Sequence, residues 1–344
     1  TSVEFSNGFR AQVWVHPPAR FGTALQYATG SKDHNVKIRE IALDHGYSLS
    51  EHALTKEDGT EILCETEDQV YQTLGLPLIP PEMREERGEV QAAKVGELPD
   101  LIQKNDIISE LHCHTNWSDG RGTISDMVQA AIDRGLKVIT ISDHSVSLGI
   151  ANGLSIERLM EQKEEVSKAR EEYSEKITIL HGIELEIKAD GSLDFPDEVL
   201  AELDVVVASL HVSMRQPRAQ ITKRMLNAIQ NPHVDIIGHP TNRLLPDREG
   251  SDLDMEAIFQ AAADHGVALE INANPQRLDL NDIHARRAVE LGIPLAINTD
   301  AHAPQHLELI HFGVSTARRA WAQKDDVINS WPVEKLTSWL KERG

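Results

Sequence analysis

His112 and His114 stand two residues apart in ELHCHT, and on a strand they share one face about 6–7 Å apart, so both reach a common cluster. Cys113 then points the other way. A second pair at the same spacing, Asp300 and His302, lies in NTDAH, and between the pairs stand Asp119 in NWSDG, His144 in SDH, Glu184 in GIELEI, His211 in SLH and His239 in IGHP. Imidazole nitrogen and carboxylate oxygen without thiolate suit Zn, Mn or Fe and speak against a Cys-type structural zinc site. The donors exceed what one ion needs, and clusters of two or three ions are how phosphoesterases hold an attacking hydroxide and stabilise a leaving alkoxide. A lone His at a strand end is more often a hydrogen-bonded structural residue, and a lone Asp before a loop is usually a helix cap. Two spaced pairs together with three further strand-end histidines reverse that balance.

Other polar residues need separate readings. Glu186 shares the face of Glu184 one step further on, where it either supports the ligands or faces solvent. Arg215 and Arg218 follow His211, and Lys223, Arg224 and Arg243 come soon after; the functional reading is that Arg215, Arg218 and Arg243 hold substrate phosphates. His45, His181, His233, His265, His284, His306 and His311 fall on helices, turns or strand starts and read as solvated or capping residues.

The elements that must position these side chains are short apolar runs alternating with amphipathic stretches, the pattern of parallel βα units. Strands are predicted at residues 107–114, 138–143, 177–186, 205–211, 236–239, 268–272 and 295–299, with helices between them. Metal-type residues terminate six of these seven runs. In parallel α/β barrels the C-terminal strand ends gather at one face, which brings the candidates together. Ahead of the barrel, residues 1–76 read as a β pair turned at Asn7-Gly8, a helix near residues 36–45 and a mixed tail. Residues 77–105, rich in Pro and charge, read as a linker or a strapped connection, and the barrel occupies 106–344.

At 344 residues the chain is long enough for about two domains. Acidic residues outnumber basic ones 55 to 34, for a net charge of −21, so a nucleic acid partner needs a local basic groove or bound cations. No apolar run reaches the roughly 20 residues that span a bilayer, so no membrane partner is expected. Two cysteines in separate segments make no disulfide framework and point to a reducing, cytoplasmic location. The chain begins at Thr1 with no signal sequence, which reads as the edge of a fragment.

The set ELHCHTNWSDG, SDH, GIELE, SLHVS, IGHP and NTDAH resembles the polymerase and histidinol phosphatase (PHP) domain, from about Ile107 to the C-terminus. The resemblance implies an α/β fold, a distorted (β/α)7 barrel, and a three-metal phosphoesterase site. Its ligands here would be His112, His114, Asp119, His144, Glu184, His211, His239, Asp300 and His302. The run FGTALQYATGSKDHNVKIREIALDHGYSLSEH resembles the thumb of family X DNA polymerases, in which Tyr27, Gly30, Asn35 and Arg39, with Thr29 and Ser31, would contact nucleotide or DNA. LGLPLIPPEMREERGE is similar to bacterial members that join a polymerase core to a PHP 3′-5′ exonuclease. The palm position that supplies the third catalytic Asp is Gln12 here, a neutral amide, and the aromatic that follows Tyr27 is replaced by Ala28. The other palm carboxylates would lie upstream, so polymerisation by this chain is not expected.

These readings converge on a metal-dependent phosphodiesterase that acts as a 3′-5′ exonuclease on DNA 3′ ends, in DNA repair, with two to three divalent ions (Mn, Zn or Fe). One rival keeps the metals and takes a small phosphomonoester of the histidinol phosphate kind. The other is a non-catalytic, metal-stabilised scaffold for the polymerase core.

Overall fold

Alternating β-branched and aliphatic runs build the larger part of the chain into a parallel barrel, seen in a computed structural model that describes residues 1–343. The contacts divide the chain into two units, Thr1–Pro99 and a second that begins at Asp100.

In the first unit, β1 (Ser2–Glu4) pairs antiparallel with β2 (Arg10–Gln12). Helices α1 (Phe21–Thr29) and α2 (Lys32–Asp44) follow, with Ser31 capping α2 by accepting the His34 N–H. A three-stranded antiparallel sheet, β3 (Tyr47–Leu49), β4 (Leu54–Lys56) and β5 (Glu61–Ile62), leads into α3 (Glu67–Thr73) and then α4 (Glu89–Val95). Gly22 lets α1 meet the start of α3, since a Cβ there would lie 2.2 Å from the Thr66 carbonyl oxygen. Of the two readings of the next segment, linker or strapped connection, the packing matches the strap. Ile79, Met83, Arg84 and Glu89 are buried. Their charges are paired inside: Arg84 with Glu67 at 2.5 Å, and Glu89 with His34 at 2.6 Å, whose other ring nitrogen meets the Tyr71 hydroxyl at 2.8 Å. Composition flagged the prolines and charges but carried no sign of these partners.

In the second unit seven strands lie side by side in chain order. They are β6 (Ser109–Glu110), β7 (Val138–Ile141), β8 (Thr178–Glu186), β9 (Val205–Ser209), β10 (Ile236–Ile237), β11 (Ala268–Asn272) and β12 (Leu295–Asn298), all parallel. Connecting helices include α5 (Ile124–Asp133), α6 (Ile156–Glu172), α7 (Asp197–Leu200), α8 (Arg218–Ile229), α9 (Met255–His265), α10 (Asp282–Glu290) and α11 (Ile310–Arg319). The period-two alternation sets the interior. Val138, Leu180, Val205, Ile236, Ala268 and Ala296 fill its lower layer together with Trp331 and with Leu336 and Leu340 of α12 (Val333–Arg343), which seals that end. Two residues further along, Thr140, Glu270 and Asn298 turn the interior polar on three of these strands.

The barrel is nearly closed, and its seam between β6 and β12 is stitched largely by side chains. Beyond the strands, the His114 N–H donates to the Ala301 carbonyl at 2.8 Å. Lower down, Asn329 inserts: its Oδ1 accepts the Ile297 N–H at 2.7 Å, and its Nδ2 donates to the Ser109 carbonyl at 3.1 Å and to Asn298 Oδ1 at 2.9 Å. Glu110 accepts the Thr299 hydroxyl at 2.7 Å across the same gap.

His181, read from sequence as solvated or capping, is 2% exposed on β8, where its Nε2 lies 3.2 Å from Gln162 Oε1. Burial lowers its pKa from 6.5 to about 4. The folded state therefore favours the neutral ring, so its stabilisation is complete above pH 6.5 and is lost as pH falls toward 4. The shift corresponds to roughly 3 kcal/mol. Denaturant melts of the parent and of His181→Gln at pH 7 and pH 5 should show a smaller acid-induced loss in the variant; equal losses would refute the assignment. Buried Glu110 and Asp235, raised to about 7, act in the opposite direction and cancel in that difference.

Candidate metal centre

The C-terminal ends of the strands deliver all nine candidates to one place. His114, Asp119, His144 and His302 bring ligand atoms within 4.8 Å of one another, as do His112, His114, Glu184 and Asp300, and likewise His144, Glu184 and His211. His239 joins the last group, its Nε2 2.9 Å from Glu184 Oε1. The groups overlap through shared residues, and Glu184 is the hub. Its Oε2 lies 2.8 Å from His144 Nδ1, 3.3 Å from His112 Nε2 and 3.5 Å from His114 Nε2, while Oε1 lies 3.3 Å from His211 Nε2.

Burial alone would raise the Glu184 carboxyl, but the charges of His211, His144 and His112 outweigh it and hold the group well below the usual carboxylate range. Asp300 is depressed in the same way, by His112 and His114 against burial. Burial also opposes ring protonation at His211, yet Glu184 overrides it and raises that pKa to about 9. His114 falls to about 3 through burial and its neighbours His302 and His144. Several buried atoms have no hydrogen-bond partner: His112 Nε2, His114 Nδ1 and Nε2, Glu184 Oε2 and Asp300 Oδ1. Native proteins rarely leave such atoms unsatisfied. Converging lone pairs of nitrogen and oxygen fit divalent cations bound between them.

Surrounding residues fix the orientation of these donors. His112 Nδ1–H donates to Glu270 Oε1 at 2.8 Å, which turns Nε2 inward, and Glu270 also accepts from Asn298 at 3.0 Å and from the His239 N–H at 2.6 Å. Glu186 is buried and takes His211 Nδ1–H at 2.8 Å, so of its two sequence readings the supporting one describes it. Asp143 receives the Thr115 N–H at 2.8 Å and Gln162 Nε2 at 2.6 Å, folding the loop that presents Asp119. Gly120 seats that loop, because a Cβ there would lie 2.7 Å from the His114 carbonyl. His239 and Asp300 adopt φ of +27° and +50°, the left-handed region that costs non-glycine residues energy and clusters at functional sites.

Glu270 was not singled out in the sequence. A single Glu inside ALEIN reads as an outward-facing strand residue, and the available signal was its parity with Ala268 and Asn272 on the inner face. Such partners of metal-binding histidines are typically worth about 10–100-fold in metal affinity. Glu270→Gln should weaken metal binding by that factor in a chelator competition and leave the melting curve within a few degrees; unchanged affinity would remove Glu270 from the centre.

Of the three arginines expected to hold phosphate, Arg215 and Arg218 line one cleft and Arg243 another. Arg218, the first residue of α8, pairs with Asp252 at 3.2 Å and Asp254 at 3.7 Å. Arg243 spends its Nε on the Arg277 carbonyl at 2.8 Å and a terminal nitrogen on the Leu278 carbonyl. Arg215 is exposed on a turn that lines a 950 Å³ cleft. The sequence showed their charge but not the acceptors that the fold supplies.

In the first unit, Tyr27, Gly30, Asn35 and Arg39 line one 870 Å³ cavity with Gln12 and Trp14. Trp14 stacks on Tyr27 at 5.8 Å between ring centres, and the Arg39 guanidinium lies 5.4 Å from the Tyr27 ring. Asn35 bonds Gln26 and the Tyr27 carbonyl, which fixes its amide at the cavity wall.

A parallel barrel whose C-terminal mouth gathers nitrogen and carboxylate donors for several cations, without thiolate, belongs with the metal-dependent phosphoesterases. Residues 110–274 match the PHP domain, and residues 24–85 match the DNA polymerase beta thumb. The chain belongs to the PHP family and carries a family X DNA polymerase thumb ahead of its barrel. It is 43% identical over 323 residues to the DNA polymerase/3′-5′ exonuclease PolX of Bacillus subtilis, covering 94% of this chain but only 56% of that protein. A probable phosphatase of Thermoanaerobacter sp. (strain X514) is 32% identical over 249 residues, 69% of this chain and 96% of its own. Among solved structures, histidinol phosphate phosphatase from Lactococcus lactis, complexed with zinc, L-histidinol and phosphate, aligns over 62% of this chain and 94% of that one with 19% identity and a TM-score of 0.48.

Proposed function

We propose that this chain is a metal-dependent 3′-5′ exonuclease that shortens DNA from its 3′ end in repair, with hydrolysis in the barrel and nucleotide contacts in the thumb unit. The carrying observation is the set of three overlapping cation groups, two of them sharing Glu184 and both tied to the third through His114 or His144, in a chain that also bears a polymerase thumb. Similarity to a DNA polymerase/3′-5′ exonuclease over 94% of the chain supports DNA as substrate. We assign metal ligation to His112, His114, Asp119, His144, Glu184, His211, His239, Asp300 and His302. Two to three Mn, Zn or Fe ions would supply Lewis acidity toward the phosphoryl oxygen and a water acidic enough to attack at neutral pH.

The chain's own residues hold this machinery in place. Glu270 and Glu186 keep His112 and His211 in the tautomers that aim Nε2 inward. Tyr27, Gly30, Asn35 and Arg39 are assigned to nucleotide or DNA contact. Gln12, on the rim of the same cavity, brings no carboxylate charge, so we assign hydrolysis and not polymerisation to this chain. Among the described residues no helix is long and apolar enough to cross a membrane, both cysteines are free and buried, and we place the chain in the cytoplasm.

A second reading, a phosphomonoesterase, is favoured by the match to a probable phosphatase over 96% of that protein's length. A 5′-labelled single-stranded oligonucleotide incubated with Mn²⁺, beside Asp300→Ala and a generic phosphomonoester, separates the two. A ladder of shortened products that disappears in the variant supports the exonuclease. Cleavage of the monoester alone replaces it with the phosphatase, and no hydrolysis of either substrate with Mn, Zn or Fe leaves a metal-stabilised scaffold.

A further inference from the structure

The loop that follows His144 carries an isoleucine almost wholly in solvent. Ile150, in the 3₁₀ turn Gly149–Ala151, is 98% exposed, although Ile is among the residues most often buried, and Val146 in the same loop is 46% exposed. The loop that holds them is braced. Its two ends are bonded to the backbones of candidate ligands: the Ser145 N–H donates to the Glu184 carbonyl at 3.0 Å, and the Leu154 N–H donates to the His144 carbonyl at 2.7 Å. Further out, the Ser147 N–H donates to Asp194 Oδ2 at 2.7 Å. Asn152 Nδ2 donates to the Trp117 carbonyl at 3.1 Å, and Arg158 in α6 donates to the Asn152 carbonyl at 2.8 Å and to the Trp117 carbonyl as well. Trp117 lies two residues before Asp119, so the loop is also tied to the segment that presents a third candidate ligand.

These bonds fix where the tip stands. Ile150 is four residues from Leu154, so even a fully extended chain keeps it within about 14 Å of that residue, which borders the mouth. Along one strand of B-DNA that is about four base steps of roughly 3.4 Å. His112, His114 and Glu184 are buried at the bottom of the mouth, and a phosphate comes down to them most readily on a 3′ nucleotide that has left its complement. From Ser145 to Gly153 the loop has no charged residue in a chain of net charge −21, so this projection does not repel a polyanion. Aliphatic side chains that press between base steps unstack them. A tip of one or two residues is too small for a protein partner, since stable interfaces cover about 800 Å² on each side.

We propose that this loop is a strand-separating wedge, in which Ile150 and Val146 pack against the last base pair of a DNA duplex and free the 3′ nucleotide for the metal centre. The inference rests on the exonuclease reading of the barrel and deepens it, because it makes duplex 3′ ends a substrate class beside single strands. The wedge works by apolar contact and takes no part in hydrolysis. Asn152 and Arg158 are its positioning residues, since their bonds to the Trp117 carbonyl hold the tip at a fixed height over the Asp119 loop.

The test places 2-aminopurine, a base whose fluorescence rises when it unstacks, at the 3′ end of a duplex with phosphorothioate linkages that resist cleavage. The metal-loaded parent is compared with Ile150→Ser, Ile150→Leu and the double variant Val146→Ser/Ile150→Ser. The parent and Ile150→Leu should brighten the probe, and the two serine variants should leave it as dark as free duplex. An exposed site tolerates such changes, so melting curves and metal content should match the parent's. With ordinary linkages, Ile150→Ser should hydrolyse the duplex about tenfold or more slowly and a single-stranded oligonucleotide within about twofold of the parent. A merely structural role would lower both rates together. A parent that leaves the probe dark, an Ile150→Ser protein that brightens it as the parent does, or equal losses on the two substrates overturns the wedge. A parent dimer that Ile150→Ser dissociates in sedimentation also overturns it and assigns the tip to a contact between copies. Unstacking is read without turnover, so brightening that depends on Ile150 in a protein that cuts neither substrate refutes the exonuclease and keeps the wedge.

Discussion

Glu184→Gln should lower metal-dependent hydrolysis by roughly a thousandfold or more and strip most of the bound metal, because several kcal/mol of charge stabilisation rest on that carboxylate. The amide keeps the volume and one acceptor but loses the charge that two of the three cation groups share. Five imidazoles approach the carboxylate: His112, His114, His144, His211 and His239. No other residue of the centre reaches as many, so its loss cannot be confined to one ion. Asp119 borders a single group and is partly exposed, so Asp119→Asn should cost less and leave the other groups loaded. Metal analysis by mass spectrometry together with hydrolysis rates checks both variants. A Glu184→Gln protein with full metal content and a rate within tenfold of the parent would sink the shared-hub account.

The second large effect is on the fold. Asn329→Leu should destabilise the protein by about 3–6 kcal/mol, since it leaves the buried Ile297 N–H, the Ser109 carbonyl and one Asn298 contact unmet at about 1–3 kcal/mol each. Leu resembles Asn in shape, so the loss reflects polar groups left without partners more than a cavity. Against a typical total of about 5–15 kcal/mol this is a large share. Urea denaturation gives the difference directly; a change below about 1 kcal/mol would mean that backbone pairing alone closes the barrel.

Strand order and the seven-strand barrel were legible because each strand is a short apolar run followed by a polar terminus. The first strand was not legible at its true length. Residues 107–114 looked continuous, yet only Ser109–Glu110 pairs regularly, because the next N–H groups donate to side chains instead, Leu111 to Asn298 Oδ1 and Cys113 to Ser142 Oγ. The nine ligand candidates were visible as residue types at strand ends. What supports them was not: Glu270 hides in an apolar strand, and Asp143, beside His144, serves a loop hydrogen-bonded from a different segment. The partners of the basic residues were hidden for the same reason. Arg218 and Arg243 stand close in sequence to His211 and His239, but their partners Asp252, Arg277 and Leu278 lie some thirty residues away, a distance that local patterning does not register.

The seam also sets an order in time. As the chain emerges from a ribosome, His144, Glu184 and His211 are present once β9 has been made, so one of the three cation groups has all its donors early. The other two wait for Asp300 and His302, which follow the last barrel strand, and the wall that holds those residues against His112 and His114 is locked only when Asn329 arrives. A nascent chain stalled shortly after α10 would carry a single complete set of cation donors on an open sheet. Full metal loading therefore reports that synthesis of the barrel has run to its end.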